Sequence, residues 1–319
     1  MRLSIVVPCY NEAAVLADSV QRLRQVLEEL RGEGKVEPGS NLWLIDDGSS
    51  DDTWALIQRF AAAHPDITGV KLSRNCGHQN ALLAGIEHAD GDAVITLDAD
   101  LQDDIAAIEA MVDAHAAGCE VVFGVRRDRG RDSAFKRGSA RAYYRLLRWL
   151  GVEVVPDHAD FRLLGSKARA ALLAHPEGNL FLRGLVPRLG FRSTRVFYDR
   201  QARARGRSKY SLARMFGLGI DGITSFSAVP LRMIAGLGAC LFVVAMGVSV
   251  WVLAVRLFTD RALPGWASTT LPIYVLGGVQ LLSLGLVGEY VAKIHMEVKR
   301  RPRYLVEQWT GEQDSQSRQ

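Results

Sequence analysis

Over the first 125 residues, short apolar runs alternate with longer amphipathic stretches, and this alternation narrows the possible folds more than any other feature. Leu3–Val7, Leu42–Ile45, Val70–Leu72, Val94–Leu97 and Val121–Val125 are too short for helices and almost uniformly apolar, so they read as strands buried on both faces. Between them, Ala13–Leu30, Thr53–Ala63, Gln79–Ala89 and Ile105–Ala117 have helical spacing and length. The pattern predicts an α/β layer fold, with a mostly parallel sheet and helices on both faces. Ser49 followed by Asp52 has the spacing of a capping box opening the second helix.

In an open α/β sheet, ligands gather outside the carboxyl ends of the strands. Here the first four strands exit into Pro8-Cys9-Tyr10-Asn11-Glu12, Asp46-Asp47-Gly48-Ser49-Ser50-Asp51, Ser73-Arg74-Asn75-Cys76-Gly77 and Asp98-Ala99-Asp100-Leu101-Gln102-Asp103-Asp104. Four polar exits on one edge predict a single site. No GxGxxG follows the first strand and no GxxxxGK[ST] occurs, so the dinucleotide and P-loop readings have no support. Asp98 and Asp100 can turn toward one point if Ala99 is tucked behind them. Such hard oxygen ligands suit Mg²⁺ or Mn²⁺, which are often held by one or two carboxylates plus substrate phosphates, and Gln102 offers a further oxygen. Asp103 and Asp104 read as acids opening the next helix, where negative charge is favourable.

The C-terminal third is of another kind. Met233–Val255 runs about 23 residues without a charge, and Leu271–Val291 about 21 with Glu289 alone. At about 20 residues per crossing, both are long enough to span a bilayer. The other reading, two buried helices of a soluble core, is disfavoured by charge-free runs of this length. Arg232 precedes the pair and Lys293, Lys299, Arg300, Arg301 and Arg303 follow it, which by the positive-inside rule puts both ends of the hairpin and the N-terminal domain in the cytosol. Between Ser208 and Pro230, Lys209 and Arg214 mix with Leu, Met, Phe and Ile, as in a helix lying at a membrane interface. The expected domains are therefore residues 1–207, an amphipathic segment 208–232, a hairpin 233–292 and a basic cytosolic tail 293–319. The net charge of +4 is mild, and its basic clusters at Arg200–Lys209 and Lys293–Arg303 suit phosphates on a ligand or membrane more than nucleic acid. Four scattered cysteines without CxxC spacing read as reduced, structural residues, and the N-terminus lacks the apolar run of a signal peptide. Glycines in both apolar segments would permit close helix packing, so a homo-oligomer is an expectation, although none forms a GxxxG.

The strings VVPCYNE, LIDDGSSDDT, RNCGHQNALLAG and LDADLQD, in this order, resemble the nucleotide-sugar enzymes of glycosyltransferase family 2. GVRRDRG, FKRGSARAYYRLL, DHADFRLL and RARGRSKYS further resemble its polyprenyl-phosphate branch, which includes dolichol-phosphate mannose synthases and bactoprenol glucosyltransferases. The resemblance implies a GT-A-type, Rossmann-like sheet followed by the interface helix and the two-helix hairpin. It assigns Pro8, Tyr10, Glu12, Asp46 and Asp47 to the nucleoside, and Arg74, Asn75 and Gly77 to a loop beside it. Asp98, Asp100 and Gln102 match the metal and diphosphate site. Arg126, Arg137 and Arg141 match the segment that binds the acceptor phosphate, and Arg203, Ser208 and Lys209 a loop that closes over the site. Asp157 and Asp160 fall where they would position the acceptor or orient an arginine. The pattern is departed from at Asp104-Ile105, where prolines are usual, and at His78 and Gln79, which replace a lysine–glutamate pair.

The implied reaction transfers a hexose from a nucleotide sugar to undecaprenyl phosphate, with inversion, at the cytosolic face of a bacterial inner membrane. A phosphate acceptor is already ionised at neutral pH and needs cations around it more than a strong base. Glucose from UDP-glucose is the first choice of donor, with GDP-mannose and amino sugars on UDP as alternatives. A processive polysaccharide synthase is disfavoured because QxxRW and further spans are absent. A non-enzymatic flippase or scaffold is disfavoured by the intact donor and acceptor motifs.

Overall fold

The computed structural model describes residues 1–127, 158–175, 182–199, 266–299 and 301–310, together with isolated helical positions between 231 and 254. Strands β1 (Leu3–Cys9), β2 (Asn41–Asp46), β3 (Ile67–Leu72), β4 (Ala93–Thr96) and β5 (Val121–Arg126) alternate with helices α1 (Ala13–Gly32), α2 (Thr53–Ala63), α3 (His78–His88) and α4 (Ala107–Ala116). There follow β6 (His158–Gly165), α5 (Ser166–Leu173), α6 (Leu182–Arg188), β7 (Ser193–Tyr198), α7 (Trp266–Val298) and β8 (Val306–Trp309). The five strands and four helices expected from the sequence are present, with ends displaced by at most a few residues. Strands β6, β7 and β8 were not anticipated.

All eight strands form one sheet in the order β7-β5-β6-β4-β1-β2-β3-β8. Pairing is parallel except where β6 meets β4 and β5 and where β8 meets β3, so those two strands alone run against the rest. Alternate residues of β1 serve opposite faces. Leu3, Ile5 and Val7 join a core with Leu16, Leu23 and Leu27 of α1, Ile57 of α2 and Ile108 and Met111 of α4. Val6 joins the opposite core with Leu82, Leu83 and Ile86 of α3, Leu172 of α5 and Leu185 of α6. Helices therefore cover both faces, and the strand ends are left as the open surface.

The expected capping box at α2 does not form. The N–H and hydroxyl of Thr53 bond instead to Asp51 at 3.0 and 2.5 Å, while the Ser49 hydroxyl accepts the N–H of Asn11 at 3.0 Å. The N–H groups of Glu12 and Ala13 at the start of α1 are likewise met by Thr53 and Asp51 of the neighbouring exit. The loops ahead of α1 and α2 thus satisfy each other.

Two compact units divide the chain. One contains the whole sheet and takes up the chain again from Arg301; the other contains Tyr210–Arg300. Residues 301–310 are therefore more than a basic tail. Val70 pairs with Trp309 and Leu72 with Val306, and Gly69 and Thr310 exchange hydrogen bonds. Trp309 meets Trp43 and His88 edge to face at centroid distances of 6.2 and 4.8 Å. The second unit is represented by α7, whose 33 residues extend about 50 Å at 1.5 Å per residue. Counted over the described residues, no helix combines the length and apolarity needed to cross a membrane.

Replacing Trp309 with Ala should lower stability by about 2–3 kcal/mol, somewhat below the value for a fully enclosed tryptophan. Denaturant unfolding of the detergent-solubilised protein, followed by far-UV dichroism, measures it; an unchanged midpoint would show that β8 adds nothing to the sheet.

Candidate active site

Strands β1 and β2 end side by side, with Cys9 opposite Asp46. Pro8 costs no ladder bond on the β4 side, because that pairing ends at Val6–Thr96. Tyr10 is exposed beyond it and Glu12 is half-buried. Asp46 is buried, accepts the Ser49 N–H, and is raised above the usual carboxylate range by that burial. Asp47 is turned inward: its two oxygens accept the N–H groups of Cys76 and Gly77 at 2.7 and 3.0 Å. It holds the loop that carries exposed Arg74 and Asn75, so its part in a nucleoside site is to shape that loop. Gly48 makes the close approach possible. It has φ +66°, and a Cβ there would lie 2.6 Å from the Arg74 and Asn75 backbone.

At the exit of β4, Asp98 and Asp100 alternate with two buried apolar residues. Ala99 is buried, and its carbonyl accepts the Ser19 hydroxyl at 2.6 Å. Leu101 is also buried and adopts φ +43°, a left-handed conformation unusual for a bulky residue and of the kind found at functional loops. With both apolar residues drawn in, Asp98 and Asp100 remain on the open side. The Asp98 side chain keeps 42% of its surface. The buried Gln102 donates its side-chain amide to Asp100 and so orients that carboxylate. Among the described residues, no three His, Cys, Asp or Glu side chains converge as a metal cage. Asp98 and Asp100 fit a Mg²⁺ or Mn²⁺ ion of the kind completed by substrate phosphates and water.

Asp103 corrects the sequence reading. It does not open α4; it is buried and accepts the Tyr198 hydroxyl at 2.7 Å and the Arg126 guanidinium at 3.1 and 3.3 Å. Burial opposes the Arg126 cation, but Asp103 and Tyr198 outweigh it and raise its pKa. Asp104 does act as expected, accepting the Ala106 N–H ahead of the helix at 3.1 Å.

On β6, next to β4, Asp160 is buried between three cations or potential cations. Arg162, itself wholly enclosed, donates to it; Arg183 does so at 2.8 and 3.3 Å; the His78 ring stands 3.3 Å away. Burial would raise the Asp160 carboxyl, yet His78 and the two arginines take it well below the usual range. The same His78 nitrogen lies 3.4 Å from Asp98, so one imidazole links the β4 and β6 exits. Burial would lower that imidazole, but Asp160 and Asp98 raise it. Asp98 is pushed up to about 6: the surrounding protein strips water from the carboxyl although the side chain is partly open, His78 opposes the rise, and Asp160, Asp103 and Asp100 add to it.

The structure thus brings together Pro8, Tyr10, Glu12, Asp46, Asp47, Arg74, Asn75, Gly77, Asp98, Asp100, Gln102, Arg126 and Asp160 along one sheet edge. Arg137, Arg141, Asp157, Arg203, Ser208 and Lys209 lie outside the described residues. Sequence reasoning passed over Arg162, which lies inside DHADFRLL, and Arg183 and Tyr198, which carry no motif of their own. It noted His78 and Gln79 only as departures from a pattern.

The sheet is mostly parallel, with an aspartate pair at the β4 exit and the Asp47-held loop at the neighbouring exits. Residues 4–173 match Glycosyl transferase family 2, and the chain belongs to that family. It is 44% identical to the glycosyltransferase YkoT of Bacillus subtilis, over 96% of this chain and 91% of that protein. It is 34% identical to the SfII prophage-derived bactoprenol glucosyl transferase of Shigella flexneri, over 96% and 97%. The fold is shared with glucosyl-3-phosphoglycerate synthase from Mycobacterium tuberculosis in complex with phosphoglyceric acid. That structure is 22% identical, with a TM-score of 0.50, and the match covers 71% of this chain and 80% of that one.

Two outcomes are expected. A carboxylate depressed in the folded state contributes stability that is present above its unfolded pKa, near 4, and is lost as pH falls through the folded value. Asp160→Asn should therefore cost about 3–5 kcal/mol at neutral pH by leaving Arg162 buried without its counter-charge, and the deficit should shrink in acid. Paired unfolding curves at neutral and acid pH measure both effects. Cation binding needs Asp98 ionised, and a protonated His78 beside it opposes the incoming charge. Mn²⁺ affinity, measured by titration calorimetry, should therefore weaken as pH drops through about 6. A pH-independent affinity would exclude Asp98 as a ligand.

Proposed function

We propose that this protein transfers glucose from UDP-glucose to the phosphate of a polyprenyl phosphate, undecaprenyl phosphate in bacteria, at the cytosolic face of the inner membrane. One observation carries the reading. A carboxylate pair suited to a diphosphate-bound cation and arginines suited to a phosphate monoester occupy neighbouring strand exits, in a chain similar throughout its length to a protein named for bactoprenol glucosylation. Asp46, with the Asp47-held loop, would bound the nucleoside end. Asp98 and Asp100 would hold Mg²⁺ or Mn²⁺. When bound there, the ion would offset the negative charge that builds on the departing diphosphate. Arg126, supported by Asp103 and Tyr198, would face the incoming phosphate with the planar fork that such oxygens favour. The acceptor is an anion already, so these residues need to bring charges together and exclude water more than to remove a proton. In-line attack would invert the anomeric centre, giving a β-linked product from an α-linked donor.

A polyprenyl tail stays in the bilayer, so the enzyme must work at the membrane surface. Two observations support a spanning hairpin. Trp266–Gly288 of α7 holds no charged residue. Ile273, Leu281, Leu284, Val287 and Val291 of that helix, with Val243, Val244, Val250 and Trp251 before it, are exposed, a density of apolar surface that water does not favour.

The test supplies membranes containing the protein with undecaprenyl phosphate, Mg²⁺ or Mn²⁺ and a panel of nucleotide sugars, followed by mass spectrometry of the lipid fraction. Hexosyl-phosphoryl-undecaprenol should form from UDP-glucose, and Asp100→Ala should abolish it while the protein remains folded in the membrane. A product from GDP-mannose alone would change the sugar assigned, and no product from any donor would overturn the reading.

A further inference from the structure

Resting on that reading, we propose that Arg183 is a second acceptor-phosphate-binding residue, held for the task by the buried Asp160. No motif marks it. Its position is nonetheless built from three elements. The Gln79 side-chain oxygen, on α3, accepts the Leu182 N–H at 3.1 Å, and Arg162 of β6 donates to the Leu182 carbonyl at 3.2 Å. The backbone entering Arg183 is thus gripped from both sides. Nε and Nη2 of Arg183 then bond to the two oxygens of Asp160 at 3.3 and 2.8 Å, which sets the plane of the guanidinium. The carboxylate is 5% exposed and the arginine 44%.

Arg126 is mounted in the same manner. Its carboxylate, Asp103, is 4% exposed, whereas the arginine is 32% exposed. Two half-exposed arginines, each on a buried aspartate, therefore stand at the ends of the neighbouring strands β5 and β6. Asp103 meets one arginine, whereas Asp160 meets two, Arg162 and Arg183. The wholly enclosed Arg162 is turned to Asp160 and the Leu182 carbonyl, while the Arg183 guanidinium keeps 44% of its surface. A planar, partly exposed guanidinium held in one orientation suits the oxygens of a phosphate monoester.

Location separates this anion from the donor's diphosphate. Along the edge, the nucleoside-side residues stand on β1, β2 and β3, the Asp98–Asp100 pair on β4, and Asp160 on β6 beyond it. Arg183 is thus on the side of the aspartate pair away from the nucleoside. His78, 3.4 Å from Asp98 and 3.3 Å from Asp160, ties the two halves together. One departure from the usual family pattern, the His78-Gln79 pair, supplies the residues that contact Asp160 and the backbone before Arg183.

The experiment compares wild type, Arg183→Ala and Arg183→Lys as full-length protein in detergent, with unfolding curves confirming that each is folded. Initial rates are measured against undecaprenyl phosphate, and UDP binding is measured separately by calorimetry. Arg183→Ala should raise the KM for the lipid phosphate roughly ten- to hundredfold, the scale of lost charged hydrogen bonds, with UDP affinity unchanged. Arg183→Lys should recover part of the loss, because the charge is restored without the fork. An unchanged lipid KM, or an equal loss of UDP affinity, would overturn the proposal. Binding of farnesyl phosphate, with inorganic phosphate as competitor, is followed in parallel and does not depend on turnover. If wild type transfers no sugar, the functional reading fails, yet loss of farnesyl phosphate binding in Arg183→Ala still supports the site. Retained binding there, or displacement by equimolar inorganic phosphate, counts against a lipid-phosphate site.

Discussion

Burying a carboxylate obliges the chain to bring donors to it, since an uncompensated charge away from water is costly. Among the buried aspartates at strand exits, Asp47, Asp103 and Asp160 impose that demand most widely, and most of the site follows from how it is met. Asp47 draws in the amides of Cys76 and Gly77, and with them the loop beside the nucleoside edge. Asp103 draws in Tyr198 and Arg126, connecting β4, β5 and β7. Asp160 draws in Arg162, Arg183 and His78, connecting β6, α6 and α3. In each case the aspartate sits back from the open surface and presents something else: a loop in the first instance, arginines in the other two.

Asp98 and Asp100 follow the opposite rule. They stay on the open side because Ala99 and Leu101 take the buried positions, Leu101 in a backbone conformation that costs strain. The acids at this edge are thus of two kinds: Asp47, Asp103 and Asp160 are buried supports, while Asp98 and Asp100 stay on the open side with His78 and Gln102 as neighbours.

Much of the layer architecture was legible along the chain, because buried strands and two-faced helices have short-range periodicities. What escaped had its cause at long range. Strand β8 is four residues long and its partner Val70 lies far upstream of Trp309, so nothing local marks Val306–Trp309 as part of the sheet. Strand β6 carries Asp160 and Arg162 in its interior, which disguises a central strand until their mutual pairing is seen. Asp103 was misread for a similar reason. Next to a helix, an acid resembles a cap; only the packing of Tyr198 from β7 reveals it as a support.

The order of residues by itself determined the α/β alternation, the edge on which the site lies and the Asp98–Asp100 pair, since each depends on neighbours within a few positions. Tertiary structure decided which acids stay on the open side and which hold an arginine, and it brought His78 and Arg183 to Asp160. Burial and pairing are properties of the packed sheet, set by side chains scores of residues apart, and no local pattern specifies them.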